Sequence, residues 1–171
     1  KDGRYFSGLM SSDGEELVPV EYEEITPASD GMMRVAKNGK YGYLNEKFKL
    51  VIPCKYDEAE WFRNGISVVK KGKKYGAVDK NGKTVIPFKY DEMLNNELYN
   101  DNQGRYIIAC KNDKYGLLDS KGKVVLPLKY NGIKNAGKDK SGLAYYKVWK
   151  NNKVGFVNEN LKEITKVKYD N

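Results

Sequence analysis

Five glycines set the frame of this chain. With Gly8, Gly42, Gly76, Gly116 and Gly155 as origins, the residue fourteen places on is always tyrosine: Tyr22, Tyr56, Tyr90, Tyr130 and Tyr169. Eleven places on stands proline in four copies, Pro19, Pro53, Pro87 and Pro127, and Lys166 in the fifth. Two places on is apolar (Met10, Leu44, Val78, Leu118, Val157), and three places on is small and polar (Ser11, Asn45, Asp79, Asp119, Asn158). Successive origins lie 34, 34, 40 and 39 residues apart. Self-similarity at a period of about 20–50 residues marks a repeat architecture. A single unit of this length cannot bury its own apolar face, so neighbouring units must cover it.

The pattern inside a unit is that of strands and turns. The stretch 74–79 (KYGAVD) reads as a strand, 80–83 (KNGK) as a tight turn, and 84–90 (TVIPFKY) as a second strand with Ile86, Phe88 and Tyr90 on one face. Gly82, Gly14 and Gly122 supply the left-handed residue of that turn. Phe48 and Leu161 stand there in the other copies, so those two turns are expected to differ. The proline belongs where no ladder bond is needed: an edge, a strand end or a bulge. Glycine weakens a strand, so the origin glycines are expected where a neighbour's side chain crowds the backbone. Segments such as 66–70 (ISVVK) form the strand before each origin. The unit is thus an antiparallel meander of three strands, and the linker 57–65 holds either a short fourth strand or a helical turn.

The expected fold is all-β: tandem repeats in one domain, with units at about 1–30 (partial), 31–64, 65–104, 105–141 and 142–171. Two assemblies compete, an open twisted array and a five-bladed, propeller-like closure. The open array is favoured. The first unit lacks its leading strand, and the chain stops just after Tyr169 without a strand to fill the gap. The tyrosines fourteen places after each glycine are expected to be buried in equivalent settings.

The string G-(I/L)-x-x-V-x-K-x-G-K-(Y/W)-G-x-(V/I/L)-(D/N)-x-x-G-K-x-V-(I/L)-P-x-K-Y-D resembles the WG, or KWG, repeat of bacterial proteins, and residues 65–91 are the copy nearest to it. The namesake tryptophan is replaced by Tyr41, Tyr75 and Tyr115, by Val154 in the last unit and by Ser7 in the first. The resemblance implies a bacterial β-repeat protein and brings no catalytic residues with it. The sequence does not fix the compartment, and a cell-envelope or secreted location is the favoured expectation. It also invites comparison with aromatic-rich cell-wall-binding repeats, which hold cationic or sugar ligands between rings.

The available chemistry narrows the function further. The chain has no histidine, which removes Ser-His-Asp and Cys-His catalysis and every His-containing zinc site. Two cysteines, Cys54 and Cys110, occupy different repeat positions and imply no disulfide framework; Cys54 fills a slot held by hydrophobes elsewhere. No phosphate-loop motif is present. The paired carboxylates Asp57-Glu58 and Asp91-Glu92 recur at repeat positions, where capping of turns accounts for them. The reading is a non-enzyme without cofactor or metal.

Net charge is +8, from 31 Lys+Arg and 23 Asp+Glu, and such a field draws polyanions. Lys40, Lys74, Lys114 and Lys153 recur two places before four of the five origins, and Lys83 and Lys123 close hairpin turns. Acids follow four of the five repeat tyrosines (Glu23, Asp57, Asp91, Asp170), with Asn131 the exception, and they interrupt a continuous positive stripe. The expected partner is a protein or a glycan, with a basic polyanion-binding module as the alternative; nucleic acid is expected to bind weakly and without specificity. No apolar run reaches the roughly 18 residues of a membrane span, and a monomer is expected. The longer spacings place insertions at 94–104 and 134–142, which offer Glu97, Tyr99, Asp101, Lys138 and Asp139 as candidate binding-loop residues.

Overall fold

The computed structural model describes residues 5–95, 106–138, 140–142, 144–158 and 160–170. The regular structure among them is entirely β. The chain divides into two compact units, residues 1–88 and 89–171. The first holds a two-stranded sheet of β1 (Ser7–Met10) and β2 (Glu16–Tyr22). It continues with a four-stranded sheet of β3 (Glu24–Ile25), β4 (Met32–Lys37), β5 (Lys40–Asn45) and β6 (Leu50–Tyr56). A third sheet follows, with β7 (Glu58–Ala59), β8 (Ile66–Lys71), β9 (Lys74–Asp79) and β10 (Thr84–Tyr90), the last running across the division. The second unit holds the sheet of β11 (Glu92–Asn95), β12 (Ile107–Lys111), β13 (Lys114–Leu118) and β14 (Val124–Tyr130). It also holds that of β15 (Gly132–Lys138), β16 (Ala144–Lys150), β17 (Lys153–Asn158) and β18 (Glu163–Asp170). Each sheet keeps its strands in chain order, and none closes into a barrel.

The unit is therefore a four-stranded antiparallel meander, and the linker resolves as a strand. Glu58 and Ala59 pair with Lys70 and Val69. Each full sheet starts just after one repeat tyrosine and runs through the next.

The glycine and proline columns form one device. Tyr41 pairs with Tyr56 and Tyr43 with Ile52, so Gly42 faces the stretch from Pro53 to Lys55 across a bulge. The same skip recurs at Gly8, Gly116 and Gly155. Proline has no N–H to leave unpaired in such a bulge. The bulged strand folds onto the glycine so closely that a Cβ at Gly42 would lie 2.4 Å from the Ile52 carbonyl oxygen. At Gly8, Gly76 and Gly116 the matching distances to Val18, Ile86 and Leu126 oxygens are 2.6, 2.6 and 2.5 Å. The crowding group is thus first the partner strand's backbone and not, as the sequence led us to expect, a side chain. At Gly155, where Lys166 replaces proline, the carbonyl of Thr165 stands back at 3.0 Å and a Val167 methyl is nearest at 2.9 Å.

The polar residue three places after each glycine caps the next turn. Asp79 Oδ1 accepts the amides of Asn81 and Lys83 at 2.9 Å, and Asn45, Asp119 and Asn158 make the same pair of bonds. The turns at Phe48 and Leu161 do not differ from the glycine turns. Phe48 (φ 56) and Leu161 (φ 64) take the left-handed conformation of Gly82 (φ 77), and each donates its amide to the capping residue's carbonyl just as Gly82 does. That conformation costs a side chain about 1–2 kcal/mol. Packing offsets it: Phe48 lies against the Val18, Tyr22, Val35 and Leu44 cluster, and Leu161 against a core of the second unit.

Each core lies between consecutive sheets. In the first unit, Val18 and Tyr22 meet Val35 and Leu44, and Met32, Tyr43, Ile52 and Tyr56 meet Ala59, Phe62, Val69 and Val78. In the second, Leu117, Leu126 and Tyr130 meet Ile133, Tyr146, Val148 and Val157. Tyr43 stitches the second sheet to the third. Its ring meets Phe62 edge-on at 4.7 Å, and its hydroxyl lies 2.7 Å from both the Glu60 carbonyl and the Ser67 hydroxyl. Full burial pushes its pKa far up. Met10 is 69% exposed, whereas Leu44, Val78, Leu118 and Val157 in its column are at most 1% exposed.

Candidate binding surface

The surface is built from the residues that flank the tyrosine column. Tyr56, Tyr90 and Tyr130 are 3, 3 and 1% exposed and belong to the interior. The lysine before each one, Lys55, Lys89 or Lys129, holds its ammonium 5.4, 5.5 or 5.2 Å from the ring centroid. This sets over the ring a charge that still faces water. In the first repeat Glu21 takes that place, and Lys37 reaches over from the next sheet to pair with it at 2.8 Å.

The residue after four of the repeat tyrosines holds a hairpin turn. Asp57 and Asp91 accept the amides of Gly72 and Asn112 at 2.7 Å, Glu23 that of Gly39 at 2.9 Å, and Asn131 that of Asn151 at 3.0 Å. Asp57 also pairs with Lys40, and that ammonium first, then the Gly72 amide, holds its carboxyl below the usual range. Glu58 accepts from Lys70 and from the Tyr75 hydroxyl, both at 2.5 Å, and these bonds lower its carboxyl too. Glu92 accepts from the Tyr115 hydroxyl at 2.8 Å, which, with burial, pushes that phenol well up. The paired carboxylates thus hold backbone and ring positions.

Tyr41, Tyr75 and Tyr115, which stand where the family has tryptophan, are half-buried. Arg34 lies 5.2 Å over the Tyr41 ring, so one face is already occupied. Cys54 and Cys110 are free thiols whose pKa burial raises, which lowers their thiolate fraction. Among the described residues no group of three or more Cys, Asp or Glu is placed to hold a metal, and no helix is long and apolar enough to cross a membrane.

Two open clefts stand out. One, of about 390 Å³ in the first unit, mixes Glu46 with Lys47 and Lys80 beside Met32 and Val51. The other, of about 380 Å³ in the second unit, is lined by Lys89, Lys111 and Lys114 around Tyr90, with Val124 and Leu128 as an apolar wall. No carboxylate lines it.

The family model described as WG containing repeat matches residues 8–41, 41–75, 75–115 and 115–153 in tandem. The chain belongs to the WG-repeat family. Each match runs from near one glycine origin to just before the next, so the boundaries follow the bulge device described above. No curated protein matches this WG-repeat chain. Among solved structures, it is similar to dihydro-heme d1 dehydrogenase NirN in complex with DHE, at 14% identity and a TM-score of 0.45, over 88% of this chain and 39% of that one. It is also similar to the calcium-binding protein regucalcin from Agrobacterium tumefaciens str. C58, at 10% identity and a TM-score of 0.35, over 92% and 64%. The chain spans less than two thirds of either, and likenesses of this size carry no functional argument.

The structure places the sequence-derived positions unevenly. Gly8, Gly42, Gly76, Gly116 and Gly155 lie in strands at or against the bulges, with Pro53, Pro87 and Pro127 on the strands that fold onto them. Tyr22, Tyr56, Tyr90 and Tyr130 are buried, and Tyr169 lies on β18 in register with Val154. Lys138 ends β15, in register with Ala144. Glu97, Tyr99, Asp101 and Asp139 lie outside the described residues. The lysine cluster around Tyr90 was not read from the sequence. Its signal was there in the lysine before four of the five repeat tyrosines and in Asn131, the break in the acidic column.

Proposed function

We propose that this WG-repeat chain is a non-catalytic binding or scaffolding module of a bacterial protein, in the cell envelope or secreted, whose partner is a protein or a glycan. The observation that supports it is the use of the recurring polar side chains. Glu23, Asp57, Asp91 and Asn131 cap hairpin turns, and Asn45, Asp79, Asp119 and Asn158 cap the turn after each glycine. Residues so engaged hold a scaffold in shape. They are poorly free to move protons, since acid–base work needs a group that can exchange its proton with substrate. A rigid repeated framework that varies at its surface is how repeat proteins present extended binding faces.

The test is to measure binding of the intact chain to panels of cell-surface glycans and envelope proteins by calorimetry at physiological salt, with product analysis after long incubation. Saturable, stoichiometric binding with the ligand recovered unchanged supports the reading. Turnover of any ligand would overturn the non-catalytic part.

A further inference from the structure

We propose that the cleft around Tyr90 in the second unit binds a sulfate or phosphate ester carried on a glycan. The proposal rests on the binding-module reading above and gives that module a ligand class and a site.

The argument starts from a broken pattern. In the second sheet Lys40 is neutralised by Asp57, the residue that follows the repeat tyrosine. In the fourth sheet the residue after Tyr130 is Asn131. Asn131 still caps its turn through the Asn151 amide, so the structural half of the acid's role is kept and only the charge is gone. Lys114, the counterpart of Lys40, lines the cleft, exposed, together with exposed Lys111. Neither forms an ion pair among the described residues. Lys89 completes the cluster from across the Tyr90 ring, 5.5 Å from its centroid. Asp91 is held by the Asn112 amide, and the turn's own carboxylate, Asp113, is exposed and does not line the cleft.

Three ammonium groups around one cleft suit a multiply charged tetrahedral oxyanion. Lysine binds such an anion as a point charge, and arginine, whose planar fork matches carboxylate and phosphate alike, is absent from the lining. Val124 and Leu128 form an apolar wall on which the face of a sugar ring can lie. Nucleic acid fits less well, because the Tyr90 ring is 3% exposed and offers no face on which a base could stack.

The experiment titrates the intact chain with a heparin-derived hexasaccharide, its de-sulfated form, and single-stranded DNA of matched charge, by calorimetry and amide chemical-shift mapping. Four proteins are compared: the parent, Lys111→Gln/Lys114→Gln, Asn131→Asp, and Lys121→Gln/Lys162→Gln. The last removes the same charge from lysines that do not line the cleft, and Asn131→Asp keeps the turn cap while supplying the missing partner to Lys114. The sulfated hexasaccharide should bind saturably, with shifts at the cleft. Binding should weaken about tenfold in Lys111→Gln/Lys114→Gln and about threefold in Asn131→Asp, and stay unchanged in Lys121→Gln/Lys162→Gln. Equal weakening in both lysine pairs overturns the site in favour of diffuse charge. DNA binding as tightly, through the same lysines, overturns the glycan. If the de-sulfated sugar binds all four proteins alike, the site falls while the module reading stands. If neither sugar binds, the proposal falls and the module reading rests on protein partners.

Discussion

Gly42→Ala tests the bulge device most directly. The new Cβ would lie 2.4 Å from the Ile52 oxygen, 2.7 Å from the Cys54 nitrogen and 2.8 Å from the Pro53 carbonyl carbon, all backbone atoms of one strand. A carbon–oxygen contact needs about 3.3 Å, so the bulged strand must retreat by roughly 0.9 Å. Overpacking of this kind costs about 1–3 kcal/mol, and a lost ladder bond adds about 0.5–1.5 kcal/mol. Replacing glycine in a strand returns roughly 0.5–1 kcal/mol. The net is about 2 kcal/mol of lost stability, or about 4–8 °C in Tm for a chain of this size. The control is Gly39→Asn. Gly39 has φ 67 and nothing within 4 Å of a built Cβ, and Asp113 and Asn152 hold the matching turn position at φ 57 and 61. That variant should melt within about 2 °C of the parent, since asparagine tolerates the left-handed region. Thermal unfolding followed by far-UV circular dichroism reads both. If the two variants melt together, backbone crowding does not explain the glycine column.

Three further outcomes follow from the same structure. Tyr90→Ala should lower stability by about 3 kcal/mol or more in urea titration, as large buried aromatics do, and a loss below about 1 kcal/mol would contradict the interior role of a ring 3% exposed. The Asp57 carboxyl is held below its ordinary value of 3.8 by Lys40 and the Gly72 amide. Its stabilisation is therefore present above the ordinary value and is lost as pH falls through the lowered one. Asp57→Asn should be less stable than the parent at pH 7, and the gap should close below about pH 4; a gap that persists at about pH 2 points to a cause other than this titration. Duplex DNA should bind measurably at low salt and release near physiological salt, each neutralised phosphate adding about 0.9 to the log–log slope, and submicromolar affinity at physiological salt would reverse the preference for a glycan or protein partner.

Much of the fold was legible because its determinants are local. Strand and turn residues alternate within each unit, and the columns anchored on Gly42, Pro53 and Tyr56 recur at intervals short enough to be read along the chain. Burial of the tyrosines followed from repetition, since a ring recurring in every copy serves what every copy needs. The candidate site was less legible. Pairing register sets Lys111 opposite Lys114, but Lys89 comes from β10 of another sheet, and only tertiary packing brings it beside them.

What the sequence determined by itself was the period, the all-β class and the turns that carry glycine, because each depends on neighbours a few residues apart. The tertiary structure decided the rest. It made the two residues Glu58 and Ala59 a strand, which their own propensity cannot do, because β8 offers them an edge to pair with. It held Phe48 and Leu161 left-handed, because the cores they pack against offset a local penalty that the sequence alone makes look prohibitive. It also replaced the expected side-chain contact at Gly42 with the carbonyl of Ile52. How closely two backbones approach is set by the register of the whole strand pair, and that register is the sum of contacts between residues far apart in the chain.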